Sequence, residues 1–491
     1  MKRNTRKNGT FVKFKDVLDQ VRKIDPLSNK IYSKLDDVTL GRLFSEVYRD
    51  HARYNTTAKE WYVYDGKIWR MDVGGMIVDK YSIVLTRCLG IYVMEQKDVT
   101  QEKINFYSSL GSRKKRTTMI LDARSFNYIE TTDLDQDTTL FNCQNCVINL
   151  DTMETQKHDP DLLLSKISNV YYEPQIKSYD FEKFLSEIML GDQQKIDYLQ
   201  TVFGYALTGE NSQEECYMCY GKTTRNGKST LLEVIGTMFG DYGKTIVPES
   251  LAQKDKNSRS ASGDIARLDG CRFLQMSEPP KRMKFDVALL KTLLGRDKVT
   301  ARNLYEREFE FVPIFKLFIN TNFLPVVLDD TLFSSGRVKV ITFDRHFNEE
   351  DQDPKLKSKL KTRDNLSGIF NWCLEGLKIY KAQNETLIVP APVRSATDEY
   401  RHNSDKIQNF IEDCMFEDPE SVVSVKNVYE AYSFWTRDNG YGTENKSNFI
   451  DEMRAKNMIS ASGTIDGKTV KNVIKGFDLT VGVWEEISQT Q

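Results

Sequence analysis

The sequence predicts an α/β protein: a large mixed core in the middle of the chain, an α+β unit before it, and a smaller helical unit closed by a β-hairpin after it. Three observations predict it. The run ECYMCY at 215–220 has the composition of a buried strand, residues 231–239 repeat apolar positions at helical spacing, and a glycine-containing loop joins the two. Two further apolar strands follow, at 272–277 and 316–321, and each leads into a polar residue, Glu278 and Asn322. Beyond LIVPAP at 387–392, whose two prolines suit neither helix nor central strand, helical patterns return and end in a hairpin turning at Asp466-Gly467.

In chain order, residues 1–34 are polar and basic and read as a partly disordered tail. Residues 35–205 read as an α+β domain. Its first helix carries Leu40, Leu43, Phe44, Val47 and Tyr48, and WYVYDGKIW at 61–69 is a hairpin turning at Asp65-Gly66. The rings of that hairpin suit a packing face, with base stacking as the alternative. The basic cluster Arg113, Lys114, Lys115, Arg116 suits a phosphate contact or a solvated helix end equally. Phe181, Phe184, Leu185 and Ile188, then Ile196, Tyr198 and Leu199, mark helices that lead into the core at 206–382, and Ile369, Phe370, Cys373, Leu377 and Tyr380 form a helix behind it. Residues 383–396 are expected to be a linker. Residues 397–491 read as winged-helix-like, with helices near 404–414, 425–438 and 447–456 and with Lys446, Arg454, Lys456, Lys468, Lys471 and Lys475 nearby. Such a unit places a helix in a DNA groove or docks a protein, and DNA is the expected partner.

Composition narrows the partners. Lys+Arg 69 against Asp+Glu 71 gives a net charge of −2, so any polyanion site must be local, in a pore or one small domain. No apolar run approaches the roughly 20 residues needed to span a bilayer, and the basic N-terminus lacks the apolar segment of a signal peptide, so a cytoplasmic location is expected. Eight cysteines include the pairs Cys143/Cys146 and Cys216/Cys219. Residues three apart on a strand face opposite sides, so reduced, buried thiols are expected over a zinc site.

The chemistry centres on GKTTRNGKST at 221–230. Between a strand and a helix, loop N–H groups and the helix N-terminus converge on phosphate oxygens, with Gly221, Asn226, Gly227 and Thr230 shaping the cradle. Lys228 reaches the outer phosphates of ATP, and the Ser229 hydroxyl ligates Mg²⁺. Five residues separate Gly221 from Gly227, one more than in the usual G-x-x-x-x-G-K pattern, which leaves the register of the first glycine open. A polar loop capping a helix is the plainer alternative. Fifty residues after Lys228, Glu278 stands where an acid would hold Mg²⁺ and orient an attacking water. Asn322 ends the next strand, where a γ-phosphate sensor would sit, or else it caps a turn. Arg337 precedes the strand 338–343, placed to stabilise transition-state charge on a neighbouring subunit's ATP or to be an ordinary surface arginine.

The order of these motifs resembles superfamily 3 helicases, specifically the phage/plasmid and poxvirus-type helicase-primase family. The resemblance is carried by NGKST, by ARLDGCRFLQMSE at 266–278, LKTLLGRD at 290–297, TAR at 300–302, residues 316–325 and Arg337, with NCVINL at 145–150 upstream and VRSATDEY at 393–400 downstream. It implies a modified AAA+ core of the superfamily 3 type, hexameric rings with ATP between subunits, and 3′ to 5′ movement on single-stranded DNA. Lys228 and Ser229 then belong to Walker A, Glu278 to Walker B, Asn322 to sensor 1 and Arg337 to the trans-acting finger. The family's pore hairpin falls at 298–311, with Lys298, Arg302 and Arg307 as candidate DNA contacts. Where the family often has paired arginines, this chain has Gly336-Arg337.

The resulting expectation is an ATP-dependent replicative DNA helicase of a phage or other mobile element, acting on single-stranded and forked DNA as a ring, beside a primase or other replication proteins. The alternative is a DNA-binding initiator or loading scaffold with ATP as an assembly switch. No primase domain is expected upstream. The only clustered carboxylates there, Asp133, Asp135 and Asp137, sit in a turn-like setting rather than one built for two metal ions.

Overall fold

The computed structural model describes residues 12–32, 34–253, 263–281, 283–302, 308–325, 327, 331–439 and 443–483. Part of the segment expected as a tail is ordered. The helix Phe14–Ile24 buries Val17, Leu18 and Val21 in the N-terminal core. Three apolar positions among Lys13, Lys15, Asp16 and Asp19 are too few to stand out by eye. The helix Asp37–Val47 starts where the Asp36 side chain accepts from the Thr39 N–H at 3.0 Å. With Met76–Met94 and Arg113–Ala123 it encloses Phe44, Leu85 and Leu89.

A four-stranded sheet lies beside these helices, in the order Trp69–Met71, Glu60–Tyr64, Ala52–Asn55, Tyr128–Ile129. Asp65 Oδ1 accepts from the N–H groups of Lys67 and Ile68, both at 3.0 Å, and closes the expected hairpin turn. Trp61 and Trp69 are buried, so these rings are core rather than a surface for bases.

The middle of the chain is built on five parallel strands, β1 (Cys216–Tyr220), β2 (Gly243–Ile246), β3 (Phe273–Ser277), β4 (Lys316–Thr321) and β5 (Val338–Thr342), in the spatial order β5-β1-β4-β3-β2. Covered on both faces, β1, β3, β4 and β5 read as mostly apolar runs, whereas β2, GKTI at the edge of the sheet, buries only Ile246. One face packs Tyr217, Cys219, Phe318 and Ile341 against the helices Tyr179–Ile188, Gln193–Ala206, Lys228–Phe239 and Arg363–Ala382. The other packs Cys216, Met218, Leu317 and Ile319 against Val287–Leu294 and Tyr400. Cys216 and Cys219 therefore lie on opposite sides of the sheet. Cys143 and Cys146 flank the turn of a separate hairpin, the Cys143 N–H donating to Cys146 O at 2.9 Å. Among the described residues no cluster of three or more ligand-type side chains suits a metal ion, and no helix is long and apolar enough to cross a membrane.

The hydrophobic core does not divide at the expected boundary of 205. Phe141, Ile148 and Leu150 share one cluster with Phe239, Phe370 and Tyr242, so the segment from about 140 is part of the central packing unit. Two buried cations at the start of β3 and β4 tie it in. Arg272 donates from Nη1 to Leu207 O at 2.6 Å and from Nη2 to Thr138 O at 3.0 Å and Leu140 O at 2.8 Å. Lys316 donates to Thr208 O at 2.7 Å, and its ammonium lies 4.4 Å from the centre of the Tyr205 ring. Both gather carbonyls at the C-terminal end of Gln193–Ala206, where cations are favoured.

Residues 391–396, expected within a linker, open the helix Ala391–Ser404, which packs on β5. Pro392 falls in its first turn, where a missing N–H forfeits no helical bond. The last part of the chain runs helix Lys406–Cys414, strand Met415–Ser424, helices Val425–Asp438 and Lys446–Ala455, then strands Ile459–Ile465 and Lys468–Leu479, with the last strand central in an antiparallel sheet of three. Asp466 and Gly467, at φ 51° and 72°, make the tight turn of its hairpin.

Candidate functional site

All five strands of the central sheet end on the same side, and there residues 221–227 form a loop between β1 and the helix Lys228–Phe239. Gly227 ends the loop at φ 86°, and a Cβ there would lie 2.3 Å from Ile188 Cγ2. At Gly221 a Cβ would lie 2.3 Å from Asn226 Nδ2 and 2.7 Å from Phe343 O. Both glycines are therefore required. The extra residue of the loop is absorbed by Arg225, at φ 56°, and by Asn226, whose buried side chain turns inward and donates to Thr223 O at 2.5 Å. A strap of residues after β5 closes the outside: the Phe347 N–H donates to Arg225 O at 2.9 Å, and His346 Nδ1 lies 2.9 Å from Thr224 O.

Lys228, the first residue of the helix, is only 3% exposed. Its ammonium donates to Asn322 Oδ1 at 2.9 Å and approaches Gly221 O at 3.5 Å. Burial pushes its pKa down to about 8, opposed by the proximity of Cys219 and Glu278. Ser229 is exposed, and its hydroxyl accepts from Asn320 Nδ2 at 2.9 Å. Glu278 directly follows β3. Its N–H donates to Asn320 O at 2.8 Å, which keeps the peptide in the ladder, while φ 52° turns the residue out of the strand and leaves it exposed.

Thus Gly221, Asn226, Gly227, Lys228, Ser229 and the adjoining Thr230 are brought together with Asn322 and Glu278 at the tips of β1, β4 and β3. The arrangement offers N–H donors at a helix N-terminus, one desolvated cation, and hydroxyl and carboxylate oxygens. That set suits a phosphate chain with a hard divalent ion, whose ligands are oxygens. Asn320 does not stand out in the sequence. Its one signal is the alternation Asn320-Thr-Asn322 at the end of an apolar strand, which aims both amides at the same loop.

Arg337 is not part of this cluster. It precedes β5, its carbonyl accepting from the Cys216 N–H at 2.8 Å, so it marks the opposite end of the sheet, about 17 Å away for five residues at about 3.3 Å each. Its Nη1 donates to Lys291 O at 2.8 Å and its Nη2 pairs with Glu214. Lys298 and Arg302 flank the strand Val299–Ala301, antiparallel to Phe309–Phe311, and pair with Glu310 at 3.4 Å and Glu308 at 3.9 Å. Arg307 lies outside the described residues.

The three upstream carboxylates serve local turns. Asp133 accepts from the Glu130 N–H at 2.7 Å, Asp137 from the Thr139 N–H at 3.0 Å, and Asp135 from the Ser165 N–H and Lys166 Nζ, both at 2.8 Å. In the basic cluster at the start of Arg113–Ala123, Lys115 pairs with Asp37 at 2.9 Å.

Comparison with known proteins gives three family matches along the chain. Residues 41–190 match the D5 N terminal like family, residues 219–337 a family of unknown function, DUF5906, and residues 402–471 the Poxvirus D5 protein-like family. The chain is 28% identical over 329 residues to the "Putative helicase L207/L206" of Acanthamoeba polyphaga mimivirus, covering 63% of this chain and 34% of that protein. It is 22% identical over 345 residues to the "Putative primase C962R" of African swine fever virus, covering 64% and 35%. The matches thus span about a third of the length of these curated relatives. Among solved structures, the C-terminal region of NrS-1 is 11% identical with a TM-score of 0.47, covering 90% of this chain and 100% of that one.

Proposed function

We propose that this chain, which belongs to the D5-like helicase-primase family of replication proteins, is an ATP-driven DNA helicase that works as a ring of identical subunits, with a hexamer as the expected size. The observation that carries the reading is the cluster of Lys228, Ser229, Asn320, Asn322 and Glu278 around the closed loop 221–227. The strand order β5-β1-β4-β3-β2 supports an AAA+ core of the superfamily 3 type, because it sets the strand carrying Asn322 between those carrying the loop and Glu278.

In this reading Gly221, Asn226, Gly227 and Thr230 shape the phosphate cradle, Lys228 neutralises the outer phosphates, and Ser229 and Glu278 hold Mg²⁺ by oxygen. Mg²⁺ and the triphosphate, when bound, would supply a phosphoryl group open to attack by water. Glu278 would orient that water, and Asn322, next to the Lys228 ammonium, would be placed to bond the terminal phosphate. Arg337 sits on the edge of the sheet that faces a neighbouring subunit, where it serves that neighbour's nucleotide and not its own. The hairpin with Lys298, Arg302 and Arg307 lines the ring's pore and follows the single strand. The unit from 406 onward, with its helix, strand, two helices and hairpin, is a winged helix that meets DNA outside the pore. A phage or mobile-element origin, and action in the host cytoplasm, complete the proposal.

The test measures ATP turnover with and without single-stranded DNA, and strand displacement from a fork. A motor gives turnover strongly raised by single strands and releases the displaced strand. ATP binding with slow, unstimulated turnover and no displacement would mark an initiator or loader and refute the motor.

A further inference from the structure

Resting on that reading, we propose that Arg296 is a second cation acting on the neighbouring subunit's nucleotide, and that Glu214 is the positioning residue it shares with Arg337. Glu214 stands two residues before β1, at φ 55°, in the left-handed region that a glutamate adopts only at a cost. Held there, its carboxylate stands between two guanidinium groups, pairing with Arg337 Nη2 on one side and lying 3.8 Å from Arg296 Nε on the other.

The two arginines are not equivalent. Arg337 is committed to its own chain, one arm on Glu214 and the other on Lys291 O at 2.8 Å, with a side chain 20% exposed. The side chain of Arg296 is 63% exposed. A single bond from its Nη2 to Ser212 O at 2.8 Å fixes its direction, and its Nη1 has no partner among the described residues. Two cations against one carboxylate leave a net positive charge at this point. The neighbouring ion pair, Lys339 with Glu215 at 3.0 Å, is self-neutral. A phosphoryl group presented to this edge therefore meets Arg296 first, while Arg337 follows by loosening its pair with Glu214, a charge-assisted bond of the strong kind. Glu214 aims both guanidinium groups, and Arg296 is the arm that reaches first.

The experiment uses the full chain with single-stranded DNA and compares the parent with Arg296→Ala, Arg296→Lys and Glu214→Gln. Turnover, ADP affinity and affinity for ADP with aluminium fluoride, a mimic of the transferring phosphoryl group, are measured for each. The expected Arg296→Ala protein binds ADP within about twofold of the parent. It hydrolyses ATP at least about tenfold more slowly and loses the extra affinity for ADP with aluminium fluoride. Arg296→Lys regains part of both, and Glu214→Gln weakens the aluminium fluoride complex more than the ADP complex. Mixing Arg296→Ala with Lys228→Ala restores part of the turnover, because some interfaces then join an intact loop to an intact arm. Parental turnover in Arg296→Ala overturns the inference, as does a loss matched by equal loss of ADP affinity and thermal stability. A parent that neither assembles nor hydrolyses ATP overturns the helicase reading itself.

Discussion

The ammonium of Lys228 and the side-chain carbonyl of Asn322 are hydrogen-bonded at 2.9 Å across the gap between the first turn of a helix and the tip of β4. A cation desolvated to this degree has one strong polar partner, and that partner lies on the strand between the loop strand and the one that leads to Glu278. The ammonium has three donors, so an anion that engages Lys228 does so beside Asn322 or in its place, and the loop and the tip of β4 share one cation.

Lys228→Ala is expected to abolish ATP hydrolysis without unfolding the chain. The side chain is buried rather than lying on an open loop surface, so its removal relieves a desolvated charge, and the melting temperature should hold or rise. Normal turnover in a folded Lys228→Ala protein would show that the loop does not serve the nucleotide.

The depressed pKa of Lys228 has a definite sign. Between about 8 and its ordinary 10.5, the folded chain binds fewer protons here than the unfolded one, so this residue's contribution to stability rises with pH across that window and is lost as pH falls through it. Phosphate binding needs the charged form and works in the opposite sense. ATP affinity should fall as pH rises above about 8, and binding at about pH 8 should take up about half a proton, rising toward one as pH climbs further. Calorimetry in two buffers of different ionisation heat measures the uptake, and Lys228→Met should remove it.

Replacing Lys298, Arg302 and Arg307 together with alanine should remove most DNA stimulation while sparing basal hydrolysis. Two of the three are paired with Glu310 and Glu308 across the base of the hairpin. Single substitutions should therefore act weakly, since exposed pairs contribute only about 0.2–1 kcal/mol. Unchanged stimulation in the triple variant would move the DNA site off this hairpin.

Arg272→Met should destabilise the chain by several kcal/mol, since each buried carbonyl left without its donor costs about 1–3 kcal/mol. The carbonyls of Thr138, Leu140 and Leu207 would all lose their donor. Chemical denaturation with fluorescence detection reads the loss. A shift below about 1 kcal/mol would mean that water replaces the guanidinium there.

What could be read from the sequence follows from how local each feature is. The loop, the helix after it and four strands of the central sheet announce themselves within ten residues by composition and period, whereas β2, the short edge strand GKTI, does not. Glu278 and Asn322 were legible because a polar residue after a buried strand has few reasons to be there. Asn320 was not, since its meaning depends on β3, β4 and the loop meeting in space. The membership of Phe141 and Ile148 in the central core was equally hidden, because it is decided by aromatic stacking on Tyr242 and Phe370, residues far away in the chain. Pro390 and Pro392 suggested a linker because proline forbids a helix interior, yet the first turn of Ala391–Ser404 is the place where that prohibition lapses.

The register between β1 and β5 has a mechanical consequence. Tyr220, the last residue before the loop, is level with Thr342, and Cys216 is level with Val338 next to Arg337. The two strands are therefore hydrogen-bonded side by side between the loop at one end and the Arg337–Glu214–Arg296 group at the other. A paired strand resists both stretching and slippage, since a shift of one residue would turn every buried side chain to the wrong face. The sheet thus behaves as a strut of fixed length. A tilt imposed at one end would be carried along the paired strands to the other and not taken up by slippage between them.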